Sequence, residues 1–94
     1  MEIGHTPTLV TQELADAVVS GELLKVVVEF RTFDNTWRAW IHLNNGIVYS
    51  LAENQGFADM FFQNLRDALV YLKGAGVSEV SLDLNEWSPT AGTL

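Results

Sequence analysis

Glu29, His42 and Ser50 are the residues whose types could do covalent chemistry, because a carboxylate, an imidazole and a hydroxyl in one row are the parts of a nucleophilic hydrolase. They have company. Arg31, Arg38 and Trp40 lie at alternating positions around them, and a guanidinium beside an indole is equally suited to stacking or to an ion pair. The stretch TWRAWIHL, residues 36–43, poses the problem most sharply. Its alternation puts Trp37, Ala39, Ile41 and Leu43 on one side of a strand, and Arg38, Trp40 and His42 on the other. The side that should meet water therefore owns a tryptophan and a histidine.

Which groups meet depends on strand register. Asn44-Asn45-Gly46 is the turn after this strand. A two-residue Asn45-Gly46 turn would turn Ile47, Tyr49 and Leu51 toward the polar side, whereas a three-residue loop with a left-handed Gly46 pairs Leu43 with Ile47 and keeps all three with Trp37 and Ile41. The loop with the bulge is expected. The same logic at Asp34-Asn35 pairs Thr32 with Trp37, Phe30 with Ala39 and Val28 with Ile41, which sets His42 opposite Val27 and Val48, and Arg31 opposite Arg38. The open face then carries Val27, Glu29, Arg31, Arg38, Trp40, His42, Val48 and Ser50, with Lys25 beside them. His42 would lie diagonal to Glu29 and to Ser50. Catalysis needs more than that row, because an oxyanion hole and a water-excluding pocket must be preorganised, and a flat sheet face with no inserted loop offers neither. The expectation is a protein that is not an enzyme. No catalytic residue, metal ligand or cofactor is assigned, since the other histidine, His5, sits apart near the N-terminus and no metal-ligand spacing occurs.

Positioning these residues requires a single small domain. Ninety-four residues with 48% hydrophobic and 18% charged side chains can build one core, and no apolar run is long enough to span a bilayer. Residues 1–10 read as an N-terminal arm, 11–87 as the domain and 88–94 as a tail. In the domain, Thr11 caps a helix with Glu13 in its first turn, Leu14, Ala17 and Val18 on its buried stripe, and Gly21 as its stop. Strands follow at 23–33, 36–43 and from 47. Phe61, Leu65, Ala68, Leu69 and Leu72 recur at helical spacing over residues 58–73, and Val80, Leu82 and Leu84 alternate in a last strand over 77–84. The order is αβββαβ. A crossover from third strand through helix to fourth makes the fourth parallel to the first or the third; pairing with the first is favoured, giving an α+β two-layer domain with a four-stranded mixed sheet of order 3-2-1-4 and both helices on one face. Trp37, Tyr49, Phe57, Phe61, Phe62 and Tyr71 are expected in the core, and Trp87 is expected to fold back onto its edge.

Twelve acidic residues against five basic ones give a net charge of −7, which opposes sequence-independent binding to phosphate backbones and makes nucleic acid an unlikely direct partner. The absence of cysteine excludes disulfides and thiolate sites, and the start MEIGHTPTL has neither a basic nor an apolar leader region, so a cytoplasmic setting is expected, away from membranes.

The stretches LADAVVSGELLKVVVEF, WRAWIHLNNG and NLRDALVYLKGAGVSEVSLDL resemble the small partition-associated proteins, often labelled ParC-like, of plasmids and integrated elements. The resemblance covers most of residues 11–87 and assigns a role to no particular side chain. It implies a cytoplasmic accessory of a mobile genetic element that acts beside plasmid partition or maintenance proteins. The chain has no Walker sequence and no helix-turn-helix pattern of its own. The expected function is a non-enzymatic protein-binding module whose open face contacts a protein partner, a second copy in a homodimer among the options. The alternative is a nucleic-acid-directed protein, either a single-strand binder through the same face or an acidic DNA mimic.

Overall fold

A computed structural model describes residues 7–53 and 59–89. His5, Phe57, the expected helix start at 58 and the tail from 90 onward lie outside the described residues.

Within them the chain forms β1 (Thr8–Val10), α1 (Thr11–Ser20), β2 (Leu23–Arg31), β3 (Thr36–Leu43), β4 (Val48–Ala52), β5 (Phe61–Phe62), α2 (Leu65–Gly74) and β6 (Ser81–Asp83). The class is α+β, with two helices and a mixed sheet. The expected four strands become six, and the order is β1-β4-β3-β2-β6, with β5 pairing β3 beside that path. β6 runs parallel to β2, as the crossover argument requires.

Two short strands account for the difference. Thr8–Val10, assigned to the arm by sequence, pairs parallel with β4, because Leu9 is apolar enough to join the core opposite Leu51. Phe61 and Phe62, assigned to a helix, instead pair with Arg38 and Trp37. Continuing the β3–β4 register would put Ala52 opposite Arg38, but that pairing ends at Ser50 opposite Trp40, and Phe61 takes the place opposite Arg38. β5 is thus the far half of an interrupted strand. α2 accordingly starts late, at Leu65, where the Asn64 side chain accepts the Asp67 N–H at 2.8 Å and supplies the cap that the helix needs. Its buried residues are Leu65, Ala68 and Leu72, while Leu69, expected on that stripe, is 37% exposed.

α1 begins one residue earlier than expected in its cap. Val10 is the N-cap, and the Glu13 carboxylate accepts its N–H at 3.0 Å. Thr11, no longer needed there, has its hydroxyl hydrogen-bonded to that of Tyr71, tying the two helices together. Burial and the nearby negative charge of Glu53 push the Tyr71 phenol up from its ordinary value. Gly21 ends α1 in the left-handed region at φ 81°, as its place in the sequence indicates.

The hairpin between β3 and β4 has the expected three-residue loop: the Leu43 N–H reaches the Ile47 carbonyl at 3.3 Å, and Gly46 takes φ 85°. The hairpin between β2 and β3 differs by two residues. Phe30 pairs with Trp37, Val28 with Ala39 and Val26 with Ile41, because Thr32 to Asn35 form a four-residue loop closed by Asn35 at φ 57°. A shift of two preserves sidedness, so the faces are as expected even though the partners are not. A bulge between Leu23 and Lys25 turns Leu23 toward the core and leaves Leu24 67% exposed.

The core lies between the sheet and the two helices. Val26, Val28, Phe30, Trp37, Ala39, Ile41 and Leu51 meet Leu14, Leu65, Ala68 and Leu72 in one cluster, with Phe30 and Trp37 edge to face at 5.0 Å. Trp87 packs against this cluster, so its fold-back is observed. No helix among the described residues is long and apolar enough to cross a membrane.

Candidate interaction face

The other side of the sheet answers why TWRAWIHL carries a tryptophan toward water. Trp40 Nε1 donates to the Glu29 carboxylate at 2.8 Å, and the guanidinium of Arg38 lies over the indole, 4.2 Å from its ring centroid. Arg38 is held in turn by Asp59, 2.5 Å from Nη2, and the other oxygen of Asp59 accepts the Ser50 hydroxyl at 2.7 Å. Asp59 reaches this place because the chain crosses Ala52 there before entering β5. The charge-assisted bonds are of the kind that contribute about 1.5–3 kcal/mol each, and the cation–π contact about 0.5–2 kcal/mol. The cluster is nearly closed: Ser50 is fully buried, Arg38 is 16% exposed, and the Arg38 Nε–H is buried with no acceptor among the described residues.

This geometry takes the Glu29, His42 and Ser50 row apart. With the hairpin shifted by two, His42 stands opposite Lys25 and Val48 rather than Val27, and Val27 faces Trp40. Arg38 pairs with Glu29 instead of Arg31, whose partner is Thr36. The Glu29 carboxylate serves Trp40 and the Ser50 hydroxyl serves Asp59, so no serine–histidine pair forms. Among the described residues, His42 makes no hydrogen bond or ion pair, and no group of three or more His, Cys, Asp or Glu is placed to hold a metal ion.

The face continues past Arg38 toward the β2–β3 hairpin tip, where two aromatic side chains not expected on it flank Arg31. Phe61, taken for a helix residue, stands opposite Arg38 on this side, 5.7 Å from its guanidinium. Arg31 lies over the same ring at 4.3 Å and 5.9 Å from the ring of Phe33. The result is an alternating series, Trp40, Arg38, Phe61, Arg31, Phe33. Its outer end is open. Phe33 is 88% exposed, Phe61 38%, and Arg31 donates no hydrogen bond among the described residues; its nearest carboxylate, Asp34, is 3.9 Å away.

The tip is braced from behind. The Glu86 carboxylate accepts the Thr32 N–H at 3.0 Å and the Thr32 hydroxyl at 2.8 Å, while Asp34 accepts the Thr36 hydroxyl at 2.6 Å. The bonds from the Thr32 backbone and then from its hydroxyl hold the Glu86 carboxyl below its ordinary value against the opposing effect of desolvation, with a lesser contribution from the charge of Arg31. Next to it, Trp87 anchors this segment on the core. Sequence alone offered one signal for the tip: Phe33, three residues beyond Phe30 and next to Asp34-Asn35, cannot share the core face of β2.

No family model matches the chain, and neither a curated protein nor a solved structure does so.

Proposed function

We propose that the chain is a non-enzymatic protein-interaction module that docks a protein partner with the outer end of its open sheet face. The observation that carries this reading is Phe33, a large aromatic side chain almost wholly in water, set beside a stacked arginine on a hairpin that the Glu86 segment braces. Aromatic and arginine side chains dominate binding energy at protein interfaces, and holding them in place before binding reduces the ordering cost. Trp40, His42, Val27 and Val48 extend the contact surface inward from this anchor. The acidic remainder of the chain, with its net charge of −7, favours a protein over a phosphate backbone as the partner. The resemblance to partition-associated proteins suits such a module working as a cytoplasmic accessory of a mobile genetic element.

The test compares wild-type chain with Phe33→Ser as bait in extract of its own host, and measures retention of single-stranded DNA on both in a salt series. A specific protein captured by the wild type, lost with Phe33→Ser and still eluting at high salt, is the expected result. Salt-sensitive retention of the strand without such a protein would replace this reading with the nucleic-acid one.

A further inference from the structure

Resting on that reading, we propose that Arg31 receives a carboxylate of the partner protein, supplied by an acidic side chain with apolar neighbours. Three observations converge on this. The guanidinium is positioned by Phe61 at 4.3 Å and Phe33 at 5.9 Å. Its N–H donors make no hydrogen bond among the described residues, and its one ion pair there, with Asp34 at 3.9 Å, is too long to be one. Both rings are themselves exposed, so they offer an apolar rim around the charge. A planar fork of donors matches a carboxylate in bidentate geometry, and stacking removes much of the rotational freedom that binding would otherwise have to remove. Apolar partner residues laid over Phe33 and Phe61 exclude water from the pair and strengthen it.

Phosphate has the same donor requirement, but the surroundings discriminate. Asp34 and Glu86 flank the tip, and Glu29 stands opposite Asp83 on the same face, so a polyanion at Arg31 would also meet these carboxylates. One carboxylate on a largely apolar surface avoids that repulsion. A second copy of this chain would bring its own net charge of −7 to the contact.

The experiment follows the Arg31 Nε–Hε signal and the Phe33 and Phe61 ring signals of the full chain by NMR during titration with acetyl-Val-Asp-Val-amide, with acetyl-Val-Asn-Val-amide and with a dT oligonucleotide. The account expects the aspartyl peptide to shift all three residues saturably, and the asparaginyl peptide to bind about tenfold more weakly or worse. In Arg31→Leu the two peptides should become equal. Equal titration of wild type by both peptides, centred on Phe33, would overturn the carboxylate and leave the docking surface standing. No response to either peptide would overturn both. A stronger shift with the oligonucleotide would assign Arg31 to phosphate, and a wild-type dimer that Arg31→Leu dissolves would assign it to a second copy; either result removes the proposal.

Discussion

Arg38 and Arg31 project from the same side of neighbouring strands, each over an aromatic ring, yet they end in opposite states. Arg38 is hydrogen-bonded to Asp59, covers Trp40 and is 16% exposed, whereas Arg31, 25% exposed, lies against two exposed phenylalanines with only a 3.9 Å ion pair to Asp34 and no hydrogen bond among the described residues. Residue type is the same; the difference lies in what the chain places beside each. The bridge from Ala52 to Asp59, just before β5, brings a carboxylate within hydrogen-bond distance of Arg38, and among the described residues none comes as close to Arg31. A polar sheet face can therefore serve as structure at one end while remaining available for recognition at the other. Arginine and aromatic content alone does not separate the two.

The largest effects should come from the inner end and the core beneath it. Trp37→Ala should cost about 3–5 kcal/mol in chemical denaturation, as expected for a fully buried ring, and Trp40→Ala less, about 2–3 kcal/mol, for a ring held by one charged hydrogen bond and one cation–π contact. Equal losses would mean that Trp40 is core and that the face is not open. Arg38→Leu should cost about 1–3 kcal/mol, because it strands the Asp59 carboxylate, while Arg31→Leu should stay within about 0.5 kcal/mol of wild type. If the two arginines proved equally costly, the contrast between the ends of the face would disappear.

Smaller changes sharpen the same contrast. Gly46 holds the register that sets Ser50 opposite Trp40, with only its φ of 85° opposing a side chain, so Gly46→Ala should cost about 1 kcal/mol with the Ser50–Asp59 contact kept. An unchanged unfolding midpoint would speak against that loop geometry. The smallest effect is a pH dependence at the tip. Because Glu86 is held below its ordinary value in the fold, its stabilisation is present at neutral pH and fades as pH falls through the lowered value. Wild type should lose protection of the Thr32 amide over that acid range, and Glu86→Gln should show little of this dependence in hydrogen exchange.

Much of the fold was legible because alternation reports sidedness directly. Trp37, Ala39 and Ile41 fell on the core side, Arg38, Trp40 and His42 on the other, and the Gly46 loop was fixed by the number of large side chains that the wrong register would expose. The tip loop was not legible in this way, since a shift of two residues leaves every side chain on its proper face and so carries no hydrophobic penalty. β5 was hidden for a different reason. Phe61 and Phe62 fit the 3.6-residue spacing of the helix that follows, and their pairing with β3 depends on a return of the chain that no local pattern announces. Arg31 was read correctly as a residue of the open face, while its two aromatic neighbours were missed because one lies in that loop and the other in that strand.

The contrast between the two arginines is tested most directly by the exchange of their Nε–Hε protons with water in the unliganded chain. The account predicts that Arg31 exchanges about tenfold faster than Arg38 or more, the Arg38 proton being sealed by burial even without an acceptor. Equal protection at both arginines would show that the donors of Arg31 are already engaged within the fold, which contradicts its assignment to a partner.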